Sequence, residues 1–208
     1  MRRMRAILFD ADGVLQRPGA DFRAACSAVL GEREVEIDRF MRELFALEKP
    51  ALTGLRDFES DMRGFLAGYG LDARIADVLA IWTAIEMDAA MHAEVARLRE
   101  AGVICCLATN QQPYRGRHMS ETMGYRDLFD HEFYSHALGV AKPDPDYFHA
   151  IAGKLALKPR EILFIDDHEA NVLGAREAGL HAELFPRAPA SSTAALHTIL
   201  QRHGLPLG

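Results

Sequence analysis

The sequence predicts an α/β protein: a doubly wound parallel sheet with a helical segment inserted after its first strand. Four short apolar runs, each followed by polar residues, are typical of strands that are buried on both faces. Helical patterns separate most of these runs, as expected when helices connect parallel strands. Residues 18–87 contain several amphipathic stretches and no strand-like run, which predicts the insertion.

The predicted strands follow the chain in a simple order. Three of the four apolar runs are followed directly by a polar residue that is a candidate for the functional site. The third run ends several residues before its candidate, Lys142. The runs are residues 6–9 before Asp10, 103–108 before Thr109, 133–134, and 162–165 before Asp166.

The predicted helices of the sheet region have recognisable ends. Glycine is favoured just after a helix, and a short polar residue followed by proline is favoured at its start. These signals predict helices over residues 91–101 before Gly102, from the N-cap Asp144 and Pro145 through 155, over 170–178 before Gly179, and from Ser191 or Ser192 to His203.

The inserted segment is predicted to be a helical bundle. Its amphipathic stretches are separated by glycine and proline, which favour turns. We therefore predict a sheet domain of residues 1–17 and 88–208 and an inserted helical domain of residues 18–87, with helices over 22–30, 37–47, 58–67 and 74–87.

The composition excludes several classes of protein. With 24 Lys and Arg against 30 Asp and Glu, the formal charge of the 208 residues is −6, which disfavours a general affinity for nucleic acid or an anionic membrane. Cys105 and Cys106 lie together in an apolar run, which disfavours a disulfide framework or a zinc site. The apolar run 6–9 is too short for a signal peptide or a membrane span. We therefore expect a cytoplasmic protein.

Polar residues cluster where the predicted strands end. Because ligands of an open parallel sheet bind beyond the carboxyl ends of its strands, we expect these residues to share one crevice. Several carboxylates so close together would repel one another unless a divalent cation or a shared proton relieved the repulsion. Oxygen-only ligands favour Mg²⁺ over Zn²⁺. The residues are Asp10, Asp12, Thr109, Asn110, Lys142, Asp166 and Asp167.

Four segments of the chain resemble, in order, the motifs of the haloacid dehalogenase superfamily of hydrolases, which has a Rossmann-like core. The inserted segment lies where that family carries its small helical (C1-type) cap. The acidic motif at residues 165–171 is similar to that of the sugar-phosphate phosphatases and of the phosphatase domain of epoxide hydrolase. The four segments are 9–14, 108–110, 142–143 and 164–167.

The resemblance implies an Mg²⁺-dependent phosphatase that acts on a small phosphorylated metabolite through an aspartyl-phosphate. Asp10 would be the nucleophile and Asp12 the general acid and base. Thr109 and Lys142 would complete the catalytic set. The resemblance further implies two groups of ligands. The substrate would be bound by Thr109, Asn110, Lys142 and Arg56. The metal would be bound by the side chains of Asp10, Asp166 and Asp167 and by the backbone carbonyl of Asp12. Asp166 would be either a direct ligand or a hydrogen-bond partner of Lys142.

Other interpretations remain open at this point. A phosphomutase, a haloacid dehalogenase or a non-catalytic phosphate-binding module would have a similar core. The presence of Asp12 and of the acidic pair disfavours the dehalogenase. Asn110 is expected either to orient the Asp10 loop or to line the pocket. Arg56 is expected either to reach the substrate from the inserted segment or to form an ion pair on its surface. Arg115 and Arg117 are expected either to help hold an anionic substrate or to lie on an exposed helix face, and we favour the exposed face.

Overall fold

The computed structural model describes residues 4–31, 36–187 and 190–207. Within this part of the chain the strands are β1 (Ala6–Phe9), β2 (Gln16–Pro18), β3 (Ile85–Met87), β4 (Ile104–Thr109), β5 (His131–Tyr134), β6 (Ile162–Asp166) and β7 (His181–Leu184). Five of them form a parallel sheet in the order β5-β4-β1-β6-β7. The predicted fold class is thereby confirmed.

The helices divide between the sheet and the inserted segment. They are α1 (Phe22–Leu30), α2 (Ile37–Ala51), α3 (Phe58–Gly68), α4 (Ile75–Thr83), α5 (Ala89–Glu100), α6 (Pro113–Arg117), α7 (Tyr125–Leu128), α8 (Ser135–Leu138), α9 (Pro145–Leu155), α10 (Glu169–Glu177) and α11 (Ser192–Arg202). Helices α5 and α11 bury apolar side chains on one face of the sheet, and α9 and α10 do so on the other. Burial on both faces explains the unbroken apolar runs of β1, β4 and β6.

Helices α1 to α4 have a hydrophobic core of their own. Phe40, Leu44 and Met62 are fully buried in it, and Trp82 is nearly so. The segment joins the sheet region through a short antiparallel ribbon in which β2 pairs with β3. The predicted division into domains, and the role of residues 18–87 as a cap, stay predictions.

The structure corrects some of the predicted boundaries. Helix α2 continues through Pro50 to Ala51, beyond the predicted end at 47. The stretch predicted as a helix over 74–87 is helical only to Thr83, and its last residues form β3. Strands β2 and β7 were not predicted. The helix-end signals hold, because Gly102 and Gly179 have positive φ angles and the side chain of Ser191 caps α11.

The structure also shows the state of the cysteines and the character of the helices. Cys26, Cys105 and Cys106 are buried free thiols. Within the part of the chain that the structure describes, we find no helix with the length and apolar character to cross a membrane. The cytoplasmic location stays a prediction.

A close approach between α10 and Pro143 fixes the loop that carries Lys142. Gly174 lies on α10, and a Cβ at this position would overlap the carbonyl oxygen of Pro143. Because that neighbour is backbone rather than the tip of a flexible side chain, it cannot move aside without shifting the loop. The chain therefore requires glycine at position 174.

We predict that Gly174→Ala destabilises the protein by about 3 kcal/mol or more, because overpacking against backbone forces a displacement. Gly153→Ala is the matched control: Gly153 lies on α9, and a Cβ there meets no described atom within 4 Å apart from its neighbours in the helix. An alanine at that position should stabilise the helix by about 0.5–1 kcal/mol. Urea denaturation measures both changes, and equal stabilities of the two variants would contradict the prediction.

Candidate active site

The centre of the site is a buried ion triad that connects three segments of the chain. The ammonium nitrogen of Lys142 lies 2.7 Å from Oδ1 of Asp10 and 2.7 Å from Oδ2 of Asp166. Asp10 follows β1, and Asp166 is the last residue of the neighbouring strand β6. The parallel register therefore places the two carboxylates side by side, on either side of one lysine.

Burial and mutual interaction set the ionisation of these groups. Burial raises the pKa of Asp10 to about 7, with repulsion from Asp166 adding to the effect and attraction by Lys142 opposing it. Burial alone would lower the pKa of Lys142, but the two carboxylates raise it above its ordinary value. Lys142 is therefore a permanent cation in the site.

Backbone and amide contacts hold the triad in place. The side chain of Asn110 accepts a hydrogen bond from the backbone nitrogen of Lys142 at 2.9 Å and donates one to its carbonyl at 2.8 Å. Asp166 accepts hydrogen bonds from the backbone nitrogen of His168 and the side chain of Asn171. Asn110 thus orients the Lys142 loop rather than the Asp10 loop, and it also lines the cavity that contains Asp10 and Lys142.

Three carboxylates at this centre fit a divalent cation. Asp10, Asp166 and Asp167 each offer an oxygen, and these oxygens lie within 4.8 Å of one another. Oδ1 of Asp167 is buried and accepts no hydrogen bond from the described residues. A Cβ at Gly13 would come within 2.6 Å of the Asp167 carboxylate, so the glycine leaves room for it. Both the unpartnered oxygen and the oxygen-only donor set suit a hard cation such as Mg²⁺.

Asp12 is held by the side chains of three residues. Arg115 binds it through two nitrogens, at 2.6 and 2.8 Å, while Gln16 and Gln111 each donate a hydrogen bond at 2.9 Å. Burial alone would raise the pKa of Asp12, but the hydrogen bonds and charge of Arg115, together with both amides, lower it below its ordinary value. Asp12 is therefore a carboxylate in this arrangement, with 39% of its side chain exposed.

The position of Arg115 corrects the sequence analysis. Its side chain is only 13% exposed and lies against Asp12, so the prediction of an exposed helix face was wrong for this residue. Arg117 is on the surface as expected, paired with Glu59. Arg115 gives the acidic cluster a second cation beside Lys142, so a divalent ion alone would balance four carboxylates without a shared proton.

Sequence reasoning also missed Gln16 and Gln111. Spacing alone gives no signal for either residue, because a separation of four brings side chains together only on a helix, and neither Gln16 nor Gln111 lies on one. Gln16 is held in turn by the hydroxyl of Tyr125, which donates a hydrogen bond to its carbonyl oxygen at 2.7 Å. The orientation of Asp12 is thus supported from two sides.

The remaining predicted core residues border one cavity of about 490 Å³. Thr109 is buried at the end of β4 and its hydroxyl accepts a hydrogen bond from Gln111. His168 is exposed at the rim of this cavity. The residues that line this cavity include Asp10, Asp12, Thr109, Asn110, Lys142 and Asp167.

Arg56 is engaged elsewhere. Two nitrogens of its guanidinium each lie 2.5 Å from an oxygen of Asp61, and 62% of its side chain is exposed. This is the surface ion pair that the sequence analysis left open. The structure gives no contact that links Arg56 to the described site, so its role in substrate binding stays a prediction without support.

The chain is similar to known hydrolases over most of its length. Residues 4–179 match the sequence model of the haloacid dehalogenase-like hydrolase family. A phosphoglycolate phosphatase of Cereibacter sphaeroides is 28% identical over 196 residues, which cover 88% of this chain and 85% of the relative.

Solved structures share the fold at lower identity. A HAD family enzyme from Bacteroides thetaiotaomicron, in complex with magnesium and inorganic phosphate, superimposes with a TM-score of 0.78 at 20% identity, covering 92% of this chain and 98% of that one. An L-2-haloacid dehalogenase from Xanthobacter autotrophicus, with chloropropionic acid covalently bound, gives a TM-score of 0.63 at 22% identity, covering 98% and 85%.

We predict that Mg²⁺ raises the melting temperature of the wild-type protein, because a ligand that binds only the folded state stabilises it. At a hundredfold excess over Kd the rise should be about 5–10 °C. Protons compete for Asp10, whose pKa is about 7, so the rise should be larger at about pH 8 than at about pH 6. Differential scanning calorimetry measures the effect.

Two variants complete this measurement. Asp167→Asn should remove most of the Mg²⁺-dependent rise, because it weakens the ligand whose oxygen has no other described partner. Asp146→Asn, an exposed position on α9, should keep the rise of the wild type. A rise of equal size in wild type and Asp167→Asn would contradict the assignment.

Proposed function

The chain belongs to the haloacid dehalogenase-like hydrolases, and from this membership we propose that it is an Mg²⁺-dependent phosphatase of a small phosphorylated metabolite. The observation that carries the proposal is the buried triad of Asp10, Lys142 and Asp166 beside the unpartnered oxygen of Asp167. An anionic phosphoryl group needs cations around it, and this centre offers a lysine together with donors for a metal ion. The phosphatase names of the relatives support the same reaction.

The proposed reaction has two steps. An oxygen of Asp10 attacks phosphorus, the bond from phosphorus to the leaving oxygen breaks, and that oxygen takes a proton from the carboxyl of Asp12. Water then attacks the aspartyl-phosphate and gives its proton to the Asp12 carboxylate, while the bond to Asp10 breaks and releases phosphate. The second step thus returns to Asp12 the proton that the first step uses. Arg115 favours the ionised form of Asp12, which the second step needs, and disfavours the protonated form, which the first step needs.

The chain's own residues hold the phosphoryl group. Lys142 would neutralise charge on a phosphoryl oxygen, and the Thr109 hydroxyl would donate a hydrogen bond to another. Mg²⁺ would be held by the side chains of Asp10 and Asp167 and by the backbone carbonyl of Asp12. Asp166 would bind it directly or through water. The ion, when bound, would supply positive charge to the phosphoryl oxygens.

We further propose that residues 18–87 act as a cap over a catalytic core of residues 1–17 and 88–208. The packing of α1 to α4 around their own core supports this division. So does a cavity that lies between these helices and the residues that follow β4. We expect the protein to act in the cytoplasm, where small phosphorylated metabolites are found.

The alternative functions have less support. A dehalogenase attacks carbon and needs neither Asp12 nor a metal site, whereas both are built here with several supporting contacts. A non-catalytic binding module would have no need of a nucleophile, and Asp10 is present and bonded to Lys142. A phosphomutase shares the core, and no described residue specifically favours it.

We predict that Asp10→Asn lowers kcat for p-nitrophenyl phosphate by about 10⁴-fold or more, because an amide is a poor nucleophile. The variant should fold, and without metal its melting temperature at neutral pH should equal or exceed that of the wild type. The reason is that the pKa of Asp10 is raised to about 7, so ionisation of the carboxylate opposes folding as the pH rises toward that value.

Covalent trapping tests the role of Asp10 directly. Acid quenching of the wild type during turnover of labelled substrate should leave phosphate attached to the protein, and the Asp10→Asn variant should carry none. Activity of the variant within about tenfold of wild type, a barrier change of only about 1.4 kcal/mol, would refute the nucleophile assignment.

We predict that Arg115→Ala lowers kcat by about a hundredfold with a smaller change in KM, because Asp12 loses the bidentate contact that orients it and general acid–base catalysis contributes about that much. Arg115→Lys should recover only part of the loss, since an ammonium cannot bind both oxygens in the same geometry. Steady-state kinetics at saturating Mg²⁺ measure both variants.

The control is Arg117→Ala, which removes an exposed arginine two residues away and should leave kcat unchanged. Thermal melts of all three variants establish whether they fold. A loss in kcat that matches a loss of folded protein, or equal activity of Arg115→Ala and Arg117→Ala, would exclude a positioning role for Arg115.

A further inference from the structure

A second cavity, of about 430 Å³, lies between the inserted helices and the residues that follow β4. It shares Asp12, Pro18 and Asn110 with the cavity that contains Asp10 and Lys142. A phosphate ester whose phosphoryl group lies against Asp10 would therefore extend its leaving group past Asp12 into this second space. Asp12 is thus placed where the leaving oxygen would need its proton.

The walls of this cavity are largely apolar and aromatic. The rings of Phe22 and Phe45 stack with their centroids 4.7 Å apart, and Phe22 meets Trp82 edge to face at 5.2 Å. Phe45 remains 42% exposed although its ring is stacked on that of Phe22. The other apolar residues that line the cavity include Leu52 and Ile81.

The charged groups of the cavity do not suit an anion. The guanidinium of Arg115 is already bound to both oxygens of Asp12, to Gln111 and to the carbonyl oxygen of Trp82. Glu48 faces the same space from α2 and accepts a hydrogen bond from the indole nitrogen of Trp82 through Oε1 at 2.6 Å. Its Oε2 accepts no hydrogen bond from the described residues, which leaves an acceptor for a ligand.

We propose, resting on the phosphatase function above, that the substrate is a phosphate monoester whose leaving group has a flat apolar body and a hydrogen-bond donor at its far end. The aromatic walls would hold the body, and Glu48 would accept the hydrogen bond from an ammonium or hydroxyl group. A second anionic group on the substrate would lie near the carboxylates of Glu48 and Asp12. It would find no unpaired cation among the described residues that line the cavity. Glu48 is then a specificity-determining residue.

Phosphoglycolate, for which the similar phosphatases are named, fits the second cavity poorly. The leaving group of phosphoglycolate is small and carries a carboxylate, so it would neither contact the aromatic walls nor find a partner for its charge. At 28% identity the residues of a leaving-group cavity can differ while the catalytic core is retained. We therefore expect phosphoglycolate to be a poor substrate here.

Three aryl phosphates that differ only at the far end test the proposal. Tyramine phosphate carries an ammonium group there, 4-(2-hydroxyethyl)phenyl phosphate a hydroxyl group, and 4-(carboxymethyl)phenyl phosphate a carboxylate. Their phenol leaving groups are closely matched in chemistry, so differences in kcat/KM report on recognition of the far end. We expect the ammonium ester to exceed the carboxylate ester by about tenfold or more, equivalent to about 1.4 kcal/mol, with the hydroxyl ester between them.

Glu48→Gln identifies the residue responsible. Glutamine keeps an acceptor for the indole of Trp82 but removes the negative charge, so the preference for ammonium over carboxylate should fall below about threefold. Glu43→Gln is the matched control, because Glu43 lies on the same helix and is paired outside the cavity with Arg39 and Tyr69. This control should keep the preference of the wild type.

The outcomes separate the two proposals. If the wild type hydrolyses p-nitrophenyl phosphate with Mg²⁺ but prefers the carboxylate ester or does not discriminate, the leaving-group inference is overturned and the phosphatase function stands. An unchanged preference in Glu48→Gln would overturn the role of Glu48. Failure of the wild type to hydrolyse any of the esters, p-nitrophenyl phosphate included, would overturn the phosphatase function and the inference that rests on it.

Discussion

The placement of one buried ammonium group is the constraint on which the rest of the site depends. Lys142 contacts Asp10 and Asp166, so residues more than a hundred positions apart must meet within hydrogen-bond distance. Burying these charges is costly unless they are paired, and removing Lys142 would leave two buried carboxylates without a cation. The parallel pairing of β1 with β6 brings the carboxylates together, and Asn110 fixes the backbone of the lysine between them.

Around this triad, the structure favours ligand binding over stability. The pKa of Asp10 is raised to about 7, so at neutral pH part of its charge is held against the preference of a buried environment. Asp167 keeps an oxygen without a described partner, and Gly13 has no side chain that could cover it. Each feature lowers the stability of the metal-free protein, and each would be relieved by a bound cation.

The sequence predicted structure correctly where the environment of a residue depends mainly on its neighbours in the chain. Strands β1, β4 and β6 follow the apolar runs of the sequence, and Asp10, Thr109 and Asp167, which lie at or just after their ends, line one cavity. Strand β7 was missed because it is an edge strand with alternating burial, and the β2–β3 ribbon because its Arg17 and Glu86 pair across 69 positions. Arg115 was misplaced because its burial depends on Asp12 and α4, which lie far from it in sequence.

Arg115 connects the chemistry of the site with its selectivity. Its contact with Asp12 lowers the pKa of the carboxylate, and its contact with the Trp82 carbonyl ties the same group to the inserted helices. Because the guanidinium charge is paired with Asp12, the described residues that line the second cavity offer no unpaired cation, and Glu48 supplies the remaining charge. In the proposed scheme, a single ion pair therefore both prepares Asp12 to accept a proton from water and disfavours substrates with a second anionic group.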